Sequence, residues 1–296
     1  MNTDSRGVSL SFIPARHVGK AVAVLAVMAV WFFVEGALHP ARAAIIPVTN
    51  CNNEGAGSLR QAVAGASSGD IVDLSGLDCN VFLGPQIHVA GINLTIRGKQ
   101  ERHPSGNPVT RISSSAPAVV SNSRVLFQPG QGSLKLEWLH ISNGKSNDRG
   151  GCIASNGNVT LHESSVTDCT VHGIADPQFP VRGGGVYAGG NVRLENGVSM
   201  RLNKATSSAA DAMGGAVYAG GTVNLVANGS VELVGNHVSA SGSGKLPHGG
   251  AIYAVTGVAG TAATVNGCRG ICASVHSLWV RVNQPSSSGC TKKATN

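Results

Sequence analysis

Between Gly150 and Ala254 apolar and polar positions alternate with a period of two, in short runs punctuated by paired glycines. Four runs open alike: GGCIAS from Gly150, GGGVYA from Gly183, GGAVYA from Gly214 and GGAIYA from Gly249. Aligned on the aliphatic, the anchors are Ile153, Val186, Val217 and Ile252, with periods of 33, 31 and 35 residues. Six residues after each anchor stands a valine (Val159, Val192, Val223, Val258), and in the first three copies a leucine follows at Leu161, Leu194 and Leu225. A fixed short spacing inside a looser long period means stacked strands joined by loops of variable length, a solenoid. Within GGAVYAGGTVNL the residues Val217, Ala219, Val223 and Leu225 point one way, Tyr218 and Asn224 the other. A third strand runs from Val198 to Leu202 and from Val231 to Val234, ending at Asn203 and Asn236.

Three short strands per turn predict an all-β chain wound as a single-stranded parallel β-helix. The rival, a two-sheet sandwich, offers no reason for turns that recur in register. Stacking places Tyr187, Tyr218 and Tyr253 in one ladder at about 4.8 Å per rung. It makes Asn203 and Asn236 a corner ladder bonded to the backbone.

Upstream the pattern is less regular. Strands are predicted at 71–74, 81–83, 87–89, 94–96 and 125–127, and GSLKLEWLHISNG adds inward Leu134, Leu136, Leu139 and Ile141. Residues 44–70 read as an N-terminal cap. Ser58 with Gln61 forms a capping box, and Leu59, Ala62 and Val63 give a short helix one apolar face. Such a helix covers the open end of a solenoid.

The first 43 residues carry Arg6, Arg16 and Lys20, then 14 apolar residues from Ala21 to Val34, then Ala41-Arg42-Ala43. That sequence describes a secretory signal peptide, leaving no stable membrane span after cleavage. The expected location is therefore secreted, cell-surface or periplasmic. From Ala44 onward 18 Lys and Arg face 13 Asp and Glu. This balance favours an anionic partner such as polysaccharide or a cell surface. Without a basic run or an aromatic platform, nucleic acid is not expected.

Seven cysteines in an exported chain imply disulfides. Cys51 with Cys79, and Cys152 with Cys169 about one circuit apart, are the expected pairs. The pairing of Cys268, Cys272 and Cys290, in a tail (268–296) that has lost the repeat, stays open. Their spacing matches no zinc pattern, and no metal or cofactor is expected.

GSLRQAV, GDIVDL, LTIRG and LKLEWLHISNG, followed by the GG-x-[IV]-Y repeats, resemble secreted bacterial right-handed parallel β-helix proteins. The N-terminal segment is similar to the CSLREP type, and the repeats resemble those of polymorphic outer-membrane proteins. The likeness covers roughly residues 48–254 and implies right-handed coils over 71–267, irregular to 149 and regular from 150 to 254. Trp138 departs from it, standing where glycine is usual, as does Ala154, standing for the tyrosine. Such proteins often continue into further coils and an anchor or barrel. The decay after Val258 therefore reads either as SVHSLWVRV forming a capping strand or as a truncated relative.

The resemblance implies a monomeric binding or structural envelope protein, adhesin-like. The alternative is a polysaccharide lyase or hydrolase, since enzymes of both kinds share this fold. Catalysis would need clustered aspartates for calcium or paired carboxylates. The best cluster the sequence offers is Asp168, His172 and Asp176 beside Arg182; the plainer reading of these is solvated loop residues. Excursions at 170–182, 204–213 and 238–248 leave each coil at one point, and Arg182, Lys204 and Lys245 on them are the expected ligand-binding residues.

Overall fold

A computed structural model of the chain describes residues 43–115, 122–173, 176–226, 231–260, 263–266 and 273–275. The expected signal peptide and Cys268, Cys272, Cys290 and SVHSLWVRV lie outside the described residues, apart from the short stretches named. Among the described residues the strands form five sheets with parallel pairing only, so the chain is a parallel β-helix.

One coil shows how the sequence is used. Val186–Ala188 lies in a seven-stranded sheet that carries the tyrosines, Val192–Glu195 in an eight-stranded main face, and Ser199–Arg201 in a third sheet. The chain then makes an excursion, out along Lys204–Ser207 and back along Ala212–Met213, before Gly214-Gly215 returns it to Val217–Ala219. Each strand pairs with its equivalent one period on: Val186 with Val217, Val192 with Val223, Met200 with Leu233. The inward ladders Ile153–Val186–Val217–Ile252 and Val159–Val192–Val223–Val258 are buried along their length. Period-two alternation is thus the alternation between core and solvent on a coil wall.

The excursions are not loops, as the sequence suggested. Thr170–His172, Lys204–Ser207 and His237–Ala240, with Lys145–Ser146, stack as an outgoing sheet; Val181–Arg182, Ala212–Met213 and Pro247–His248 stack as a returning one. Between them Val171, Val181, Ala205, Ala212 and Val238 make a separate small core. The coil therefore has five strands where this arm is present.

The double glycines form the neck of the arm, for two reasons. The first of each pair has positive φ, from +55° at Gly150 to +70° at Gly214, which glycine alone adopts freely. At the second, a Cβ on Gly184 would lie 2.1 Å from the Gly215 carbonyl oxygen and 2.5 Å from the Lys204 carbonyl carbon. The coil above and the outgoing strand leave no room for a side chain.

Across the neck, the corner before each outgoing strand is a left-handed residue: Asn143, Asp168, Leu202 and Gly235, with φ between 56° and 63°. Next in each coil come Gly144, Cys169, Asn203 and Asn236. The asparagines behave as the sequence predicts. Asn203 Oδ1 accepts from Cys169 N (3.2 Å) and its amide donates to Val166 O (2.9 Å); Asn236 repeats this toward Asn203 N and Met200 O.

Both expected disulfides are present, with Cα separations of 6.1 Å for Cys51–Cys79 and 5.4 Å for Cys152–Cys169. The second does not join stacked rungs. Cys152 lies in the column of Gly185, on the glycine side of the neck, and Cys169 in the column of Asn203. A Cβ on Gly185 would sit 3.1 Å from the Asn203 side chain, so these two columns face each other. The bridge closes its own coil where the arm leaves.

At the N-terminal end helix α1 (Leu59–Gly65) buries Leu59, Ala62 and Val63 as expected. Ser58 Oγ accepts from Gln61 N, but Gln61 reaches back to Gly57 N (2.8 Å), one residue earlier than in the standard box. Arg60 anchors the helix to Asn53, Pro85 and Gln86. The cap segment also supplies the first strand of the main face, Ile45–Pro47 on Ile71–Asp73.

Candidate functional site

The acids and imidazole singled out from sequence are not brought together. Asp168 is exposed at a neck corner, φ 56°. His172 projects from the outgoing sheet, its Nδ1 3.0 Å from Thr206 Oγ1. Asp176 caps a turn at the arm tip, Oδ1 accepting from Gln178 N at 2.9 Å. Among the described residues no group of three or more His, Cys, Asp or Glu side chains is placed to hold a metal ion.

The three basic residues do not form the single row that equal loops would give. Arg182 stands in the returning sheet, opposite Met213, with Arg149 bridged to it one rung below. Their guanidinium groups cover the tyrosine ladder: Arg149 lies 5.0 Å over Tyr187 and Arg182 5.4 Å over Tyr218. The rings beneath stack at 5.3 Å and 5.4 Å, tilted by only 10° and 11°. Tyr187 and Tyr218 are thereby buried, and burial pushes the Tyr218 hydroxyl up against the pull of Arg182. Lys245 lies at the arm tip, Nζ 3.5 Å from Pro177 O. Lys204 alone opens an outgoing strand, in register with Lys145, Thr170 and His237.

The main face carries a charged column that sequence reading missed. Asp73, Arg97, Glu137, His162 and Glu195 follow one another up successive rungs. The column beside it holds Lys135, Thr160 and Arg193. Arg97 pairs with Asp73 at 3.4 Å, Lys135 with Glu137 at 2.6 Å, and His162 Nδ1 lies 3.3 Å from Glu195, which Arg193 also holds. Glu137, His162 and Glu195 each directly follow the second inward residue, a leucine, of LKLE, VTLH and VRLE, and that shared offset was the available signal.

At the next corner Trp138, Glu163 and Asn196 all have positive φ. Arg102 clamps that corner, lying 5.5 Å over the Trp138 ring while bonding Glu163 and, at 2.9 Å, Gly197 O. Trp138 therefore takes a left-handed backbone that favours glycine, and Arg102 covers its ring.

Burial acts to raise the Glu195 carboxyl. The hydrogen bond and charge of Arg193, with His162 and Lys135 behind, outweigh it and hold the group below the usual range. Arg193 thus keeps Glu195 ionised, the opposite of the protonated acid that glycoside hydrolysis requires.

No protein-family model, curated protein or solved structure matches the chain.

Proposed function

We propose that the chain is an exported β-helix protein of the cell surface or envelope that binds anionic polysaccharide. One observation carries the reading: the charges of the two broad faces differ in kind. On the main face Asp73, Glu137 and Glu195 are tied to Arg97, Lys135 and Arg193. On the outgoing arm sheet Lys145 and Lys204 have no ion pair among the described residues. Cations already matched by carboxylates offer little to a polyanion, whereas unmatched ones attract it. The two disulfides fit an oxidising compartment. Among the described residues no helix is long and apolar enough to cross a membrane.

The test is retention of the purified protein on immobilised polyuronates at low and high salt. Retention at low ionic strength that disappears at high salt is expected, because the contacts are exposed and screened. Absence of retention at low salt contradicts the reading.

A polysaccharide lyase or hydrolase is the second reading. It is favoured by Glu137 and Glu195 lying two rungs apart, about 9–10 Å, with His162 between them. Release of new unsaturated or reducing ends from uronides would establish it. The pairing of both carboxylates with cations makes no release the expected result.

A further inference from the structure

The outgoing arm sheet presents two outward columns that run along the solenoid. Lys145, Thr170, Lys204 and His237 occupy successive rungs of the first, in continuous parallel register. Two residues further along the strands His172 pairs with Thr206, and these side chains bond each other at 3.0 Å. The residues between the columns, Val171, Ala205 and Val238, turn inward to the arm core, which fixes the direction of those that flank them. The ammonium groups of Lys145 and Lys204 make no hydrogen bond or ion pair among the described residues. Asp168, at the corner before Thr170, pairs with neither. The sheet thus offers cations on alternate rungs, about 9–10 Å apart, with hydroxyl and imidazole groups between and beside them.

Resting on the reading that the protein binds anionic polysaccharide, we infer that the polymer lies along the solenoid axis on this sheet. It would run across the rungs, its acidic groups meeting Lys145 and Lys204 and its hydroxyls meeting Thr170, Thr206 and the imidazoles. The spacing of the two lysine stems is set by the coil, so the ligand class is a linear polyanion with charge on alternating units. A compact anion reaches one lysine only. The four rungs span about 14 Å, so binding requires an oligomer long enough to bridge them. Arg182 and Lys245 take no part: one covers Tyr218 and the other lies at the arm tip.

The experiment is calorimetric titration of the whole exported protein with hexameric and dimeric uronate oligosaccharides at low salt. It compares wild type, Lys145→Ala/Lys204→Ala, and Lys99→Ala/Lys135→Ala. The last removes the same charge from outside the arm, where Lys99 and Lys135 pair with Glu101 and Glu137. Thermal melts verify that both double variants fold. Removing two unpaired ammonium groups, one exposed and one on a half-buried residue, should weaken hexamer binding roughly tenfold in Lys145→Ala/Lys204→Ala. Binding by Lys99→Ala/Lys135→Ala should match wild type, and the dimer should bind at least several-fold more weakly than the hexamer. Equal weakening in the two double variants would reduce the effect to net charge and overturn the inference. Dimer binding as tight as hexamer binding would replace the axial polymer with a compact site. Wild-type binding that survives in Lys145→Ala/Lys204→Ala overturns the placement but leaves polysaccharide binding standing. If wild type fails to bind at low salt, both fall.

Discussion

His140 is 7% exposed in the wall of the third sheet, its Nε2 3.0 Å from Thr167 Oγ1 and its rung neighbour below Arg111. Burial first, and the Arg111 charge second, lower its pKa from 6.5 to about 4. The folded protein therefore keeps this ring neutral where the unfolded chain has already taken up a proton. Stability from this residue is present above about pH 6.5 and is lost as pH falls toward 4, by at most roughly 3 kcal/mol. Denaturant unfolding of wild type and His140→Gln at pH 7 and pH 4 checks this. The wild type should lose more stability between the two pH values than the variant, and parallel losses would refute the assignment. Some residue roles were readable in advance because the same residue recurs at one repeat position: Tyr187, Tyr218 and Tyr253, and Asn203 and Asn236. The place of Arg182 over Tyr218 was not legible, because Tyr218 belongs to the next coil and no offset within one repeat points to it.

The arm is the element that periodicity did not disclose. Its returning strands are two residues long, too short for alternation to register, and its core residues sit one per strand. A period of two needs at least two inward positions before it can be told from a loop. The main strands given bounds from sequence, such as 81–83, 94–96 and 231–234, end within a residue of those bounds, whereas Ile45–Pro47, Arg111–Ser114 and Ser165–Thr167 were not foreseen as strands. The arm's core is small and separate from the main one, so it should open first. Val171→Ala/Val238→Ala truncates two of its buried side chains. Hydrogen exchange should then speed up over 170–172, 204–207 and 237–240 while the strands around Val186, Val192 and Val217 keep wild-type protection. Uniform acceleration across the coil would mean that arm and coil share one core. The charged column of the main face was missed for another reason. Its members belong to different repeats with different residue types, and only the stacked register makes Glu137, His162 and Glu195 neighbours.

At the scale of the molecule every assignment depends on one relation, that each coil sits on the last in parallel register with its apolar residues inward. That relation makes ladders of tyrosine and asparagine, closes the neck with glycine, balances charge on the main face and leaves lysines unmatched on the arm. Val217 is fully buried between Val186 and Ile252, whereas Asn224, in the next strand of the same coil, faces outward beside Arg193. Introducing aspartate at each position and measuring the melting transition tests the register most directly. Val217→Asp places an unpaired charge in an apolar ladder at a cost of several kcal/mol. It should abolish cooperative unfolding or the folded protein itself, while Asn224→Asp should stay within about 0.5 kcal/mol of wild type. A Val217→Asp protein that melts at the wild-type temperature, or an Asn224→Asp protein that fails to fold, would contradict the stacked register and all that rests on it.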